Sequence, residues 1–201
     1  MGIKVNDTAR FRIAAISDGF PHYVHLVSEK LFWEMFNDPR QVARSSDRHY
    51  LAAVDAAVIS VEQHLRSAYD KATMKDRDDY QQILWAVADH SDLTRNIGAI
   101  ESSYSKIMAA LGKEALPHER FVTRLNQLKL PAHGRVLRNE RRSWYTFHES
   151  ILRGYVRLKA EQSGLQLATD VASQTDRSSS LRVSGAALLK GKRSNDDFRG
   201  R

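Results

Sequence analysis

The stretch RVLRNERRSWYTF, residues 135–147, decides the fold. Upstream of it, apolar residues recur at helical spacing. Past Pro131 and Gly134 that spacing gives way to two short extended runs, residues 135–138 and 143–147, around a polar turn at 139–142. Trp144, Tyr145 and Phe147 favour strand, because aromatic side chains pack well on a pleated surface. The segment therefore reads as a two-stranded hairpin with Arg138, Arg141 and Arg142 at its tip.

Working outward, three helices precede the hairpin. The first carries Tyr80, Ile83, Leu84, Trp85 and Val87 and ends near His90. The second covers roughly residues 97–111, with Gly112 as its stop. The third follows Leu116 and Pro117 and sets Phe121, Val122, Leu125 and Leu128 on one face. Three helices and a hairpin, closed by a helix over residues 149–162, form the order of a winged helix: a helix-turn-helix plus β-hairpin, spanning residues 77–164.

A three-helix bundle is expected before it, over residues 6–74. Asn6 or Asp7 can accept the unpaired N–H groups of a first helix that Gly19 ends. Pro21 suits the first position of a second helix, which breaks at residues 37–39. A third opens at Ser46 or Asp47 and runs unbroken to about Ala72. The polar stretch 73–78 marks a domain boundary. The fold class is thus mainly α, a three-helix bundle followed by a winged helix. Residues 165–201, rich in Ser, Arg, Gly and Asp, read as a disordered basic tail.

Charge is unevenly placed. The chain has a net charge of +7. Residues 115–161 hold 10 basic and 4 acidic side chains, whereas residues 76–114 hold 4 and 7. A concentrated basic segment points to a polyanion, and duplex DNA is the expected partner. On the helix before the hairpin, Arg120, Thr123 and Gln127 lie near the centre of the polar side, with His118 and Arg124 flanking. Such side chains hydrogen-bond base edges or phosphates from the major groove. The hairpin arginines suit phosphates or the minor groove.

Other chemistries find little support. There is no cysteine, so disulfides and thiolate metal sites are excluded and a reducing cytoplasm is permitted. No apolar run approaches the length of a membrane span. His22, His25 and Glu29 align on one helix face but lack further ligands, so they read as structural and no metal or other cofactor is expected. A phosphate-binding loop is absent: Gly185 to Arg193 has five residues between its glycines and ends on Arg where Ser or Thr is required. No nucleophile sits in a glycine elbow, and no enzyme activity is expected. Trp144 or Phe147 belongs to the core rather than to a base-stacking platform. Arg153 and Arg157, one turn apart, extend the basic face or pair with Glu149 and Glu161.

Two words of the sequence carry a resemblance: IAAISDGFPHYVHL, residues 13–26, and SWYTFHESILRGYVRLKAE, residues 143–161. Together they resemble the C-terminal lid and winged-helix region of bacterial AAA-type ATPases, as in origin-recognition initiators, over about residues 10–161. The resemblance implies an ATPase domain, in cis or in trans, as a partner. In that family an early arginine after the lid glycine senses nucleotide. Here Gly19, Phe20, Pro21 and His22 stand at that place without an arginine, which leaves His22 as the possible nucleotide-facing residue. The expected function is a non-catalytic DNA-binding module coupled to such an ATPase. The alternatives are a protein-interaction or oligomerisation module, with the helix over residues 119–129 docking on its partner, and a stand-alone transcription regulator.

Overall fold

The computed structural model describes residues 3–167. Among them are eight α-helices and a small three-stranded sheet. The first four helices are α1 (Asp7–Ser17), α2 (Pro21–Phe36), α3 (Asp47–Ser60) and α4 (Gln63–Thr73). Then come α5 (Arg77–Ala88), β1 (Arg95–Asn96), α6 (Ile97–Ala110) and α7 (His118–Gln127). A 3-10 turn at Pro131–His133 leads into β2 (Leu137–Arg141), β3 (Trp144–Phe147) and α8 (Ser150–Gln162). The tail expected from residue 168 onward lies outside the described residues.

Local chemistry places most helix ends. The Asn6 side chain accepts the Ala9 N–H at 2.6 Å and opens α1. Asp18 and Gly19, both left-handed at φ 51° and 79°, close it. Pro21 stands at the first position of α2. Asn96 opens α6 by accepting the Ala99 N–H at 2.9 Å.

One expected helix is two. Val61 is extended (φ −62°, ψ 144°) and separates α3 from α4, although the apolar spacing continues through it. The bend lets α3 face α2 and α8 while α4 packs on α5 and α8.

The sheet is antiparallel in the order β1-β3-β2, with β3 in the middle. The sequence reading lacked β1. It has two residues, and only its pairing with Trp144 and Tyr145 makes it a strand. The hairpin turn also falls later than expected, at Arg142 and Ser143 rather than at residues 139–142. Arg141 pairs with Trp144, an irregularity between Asn139 and Arg141 absorbs the extra residue Glu140, and Ser143 takes φ 63°.

The hydrophobic core is continuous from Ala9 to Leu167, and α8 runs through it. This helix touches α1, α3, α4 and α5 as well as β3. Leu167, assigned in sequence to the tail, is buried.

Arg153 and Arg157 are not part of a basic surface. Both are buried, and their guanidinium groups bind Asp18 at 2.8 and 3.0 Å. They also donate to carbonyls at and just after the end of α5: Arg153 to Asp92 at 2.7 Å and Ser91 at 2.9 Å, Arg157 to Ala88 at 2.9 Å and His90 at 2.6 Å. Burial raises the Asp18 carboxyl above its ordinary range, with the two arginines opposing the shift. Glu161, expected beside Arg157, instead meets Arg12 and accepts from the Tyr50 hydroxyl at 3.1 Å.

Candidate nucleic-acid interface

Helix α7 buries Phe121, Leu125 and, just past its end, Leu128 against the core. This orients the opposite side outward. Arg120, Thr123, Arg124 and Gln127, four of the five helix residues picked out in sequence, line one shallow surface hollow together with Glu119. Their chemical states differ sharply.

Arg120 is exposed. Arg124 is held: Nη2 lies 2.5 Å from Asp76, Nε lies 3.4 Å from Asp79, and Nη1 donates to the Tyr80 hydroxyl at 3.0 Å. Its guanidinium also covers the Tyr80 ring at 5.0 Å. The Tyr80 hydroxyl, followed by Asp76, raises its pKa further. Arg124 therefore ties α7 to the start of α5. Of the two carboxylates that face it, Asp76 lies in the polar stretch 73–78 and Asp79 directly follows it.

Gln127 is half-buried, and its side-chain carbonyl accepts the Tyr80 O–H. Thr123 is exposed, but its hydroxyl donates to the Glu119 carbonyl at 2.8 Å. At the start of the helix, His118 Nδ1 lies 2.8 Å from Glu101.

Side-chain contacts join the hairpin to the end of α7 and the residues just after it. Tyr145 donates to Asn126 Oδ1 at 3.0 Å, and Lys129 donates to Asn139 Oδ1 at 2.6 Å. On the hairpin itself, Arg138 is exposed and paired with Glu140 at 2.8 Å. Arg142 is exposed in the turn. The Arg141 guanidinium carbon lies over the Trp144 ring, 4.0 Å from its centre. Phe147 and Tyr145 are buried while Trp144 is half-buried. The sequence reading missed the Arg141–Trp144 stack, because the irregularity at Glu140 changes which residues face each other.

His22 lies in the first turn of α2, edge-on to Tyr23 at 5.1 Å. Its buried Nε2 has no hydrogen-bond partner among the described residues. No group of three or more His, Cys, Asp or Glu side chains is placed to hold a metal ion among the described residues. No helix among them is long and apolar enough to cross a membrane.

The fold also assembles a serine, a histidine and an aspartate that sequence spacing did not single out. Ser46 Oγ lies 3.0 Å from His49 Nδ1, and His49 Nε2 lies 2.7 Å from Asp38. The order is that of a hydrolase triad, yet the geometry is that of a helix cap. His49 Nδ1 accepts the backbone N–H of Ser46 at 3.1 Å, and Ser46 Oγ accepts that of His49. Each side chain satisfies the other's main chain, as in a capping box.

Comparison with models of known families, with curated proteins and with solved structures returned no match, so the functional reading stands on this geometry.

Proposed function

We propose that this chain is a non-catalytic DNA-binding module. In this reading α5, β1, α6, α7 and the β2–β3 hairpin form a winged helix. Helices α1 to α4 form the lid-like portion, and the whole couples DNA contact to an AAA-type ATPase domain in cis or in trans, in the cytoplasm. The element order and the sheet order β1-β3-β2 support the winged-helix reading. The observation that carries the function is the hairpin. It presents Arg138, Arg141 and Arg142 within five residues, all exposed, beside a helix that offers Arg120.

Phosphate contacts release condensed counterions, which makes affinity fall with salt. The test is duplex binding by fluorescence anisotropy across a salt series, for the native chain and for a variant with Arg138, Arg141 and Arg142 all replaced by Ala. The slope of log affinity against log salt becomes shallower by roughly 0.9 for each lost contact. Folding changes little, because all three lie on an exposed hairpin. An unchanged slope with intact folding overturns the reading.

A second reading, a protein-interaction or oligomerisation module, draws on α2. Phe32, Trp33 and Phe36 are 44%, 48% and 66% exposed and touch one another in a single aromatic cluster. Such a patch is characteristic of a protein contact. Binding that is insensitive to salt favours this reading over the first.

A further inference from the structure

We infer that this chain holds duplex DNA with little sequence preference, the hairpin supplying the grip and α7 reading at most one base pair. The inference rests on the DNA-binding reading above and adds the class of site recognised.

Direct readout requires side chains whose donors and acceptors are aimed outward in pairs, such as glutamine on adenine or arginine on guanine. The outer face of α7 has few left. The Gln127 side-chain oxygen already accepts from the Tyr80 hydroxyl, which ties the amide to α5 and opposes the outward two-point contact with adenine. Arg124 faces two carboxylates and the same hydroxyl. The Thr123 proton is directed back to the Glu119 carbonyl. The Glu119 carboxylate shares the hollow and repels phosphate. Arg120 alone is exposed with its charge uncompensated by any ion pair among the described residues.

The hairpin is built the other way. Arg141 is ordered in advance by its stack on Trp144, which lowers the entropy lost when it meets a phosphate. Arg142 projects from the turn beside it. Contacts of this kind set position and affinity but carry no sequence information directly.

The experiment measures the affinity of the full chain for a panel of unrelated duplexes at one salt concentration, together with selection from a randomised duplex pool. One bidentate contact yields at most about a hundredfold spread between best and worst duplex. Arg120→Ala brings the panel close to uniform affinity. A duplex bound more than about a thousandfold tighter than the rest, the regime of specific regulators, overturns this inference and leaves the DNA-binding reading standing. A spread that survives Arg120→Ala unchanged also overturns it, because the readout then lies elsewhere. Failure to bind any duplex at low salt removes the DNA-binding reading, and this inference with it.

Discussion

At the scale of single residues, the informative side chains are the buried charged ones. Asp38 is buried and receives hydrogen bonds from Arg40, Arg48 and His49. Those from Arg40, foremost, and from His49 hold its carboxyl far below the usual carboxylate range. A depressed value means that the unfolded chain takes up this proton before the folded one does. The stabilisation is therefore present above the unfolded value near about 3.9, and is lost as pH falls through the range below it. Asp38→Asn should be less stable than the native chain at neutral pH, with the gap narrowing as pH drops from about 5 to about 2. Urea midpoints at a series of pH values check this; a gap that stays constant would contradict it. Arg153 makes the complementary case. Arg153→Met leaves Asp18 with one cation and strips donors from the carbonyls of Ser91 and Asp92. Removing one partner of a buried pair costs about 3–5 kcal/mol, and a loss under about 1 kcal/mol in urea denaturation would show that the pair is dispensable. Neither arginine's burial was legible in sequence. One turn apart on a helix, they look like any solvated charged face, and their partners lie 60 or more residues away in sequence, around the ends of α1 and α5.

At the scale of elements, legibility follows range. The caps at Asn6, Pro21 and Asn96 act within one helical turn, and the starts at Asn6 and Pro21 were plain from spacing. The break at Val61 and the strand β1 owe their form to partners distant in sequence, so the residues themselves carry no signal for them. The α7 face was found as a set, since its residues share one hollow, but its chemistry depends on Tyr80, which was visible only as a core aromatic. Helix pairing offers a further test. Gly154 on α8 lies against the ring of Tyr23 on α2, so a methyl group there would overlap it, and the Tyr23 hydroxyl donates to the Ile151 carbonyl at 2.8 Å. In a helix interior Gly→Ala ordinarily adds about 1 kcal/mol of stability. Gly154→Ala should instead destabilise by about 1–3 kcal/mol, because the crowded core must shift. Thermal unfolding reads the sign directly, and a rise in Tm would mean that α2 and α8 can separate without loss.

At the scale of the whole molecule, the sequence divides near residue 75 by charge and polarity, while the core does not divide there. Helix α8, the last described element, packs against the first. We therefore expect one cooperative unfolding transition across residues 3–167. Trp33 on α2 and Trp85 on α5 sit on either side of the polar stretch, so single-tryptophan variants report on each part separately. Coincident fluorescence transitions in urea support one unit, and midpoints separated by about 1 M or more would establish two. The Arg153 and Arg157 cluster has a mechanical consequence. Its guanidinium groups join the turn after α1 to the turn after α5, and α5 leads within a few residues into the strand that borders the arginine hairpin's sheet. A torque applied to α1 from outside would thus pass through buried ion pairs to the turn after α5, and from there along residues 89–94 to the hairpin's sheet. The molecule would transmit rotation the way a key turns a lock, the handle at one end and the teeth at the other.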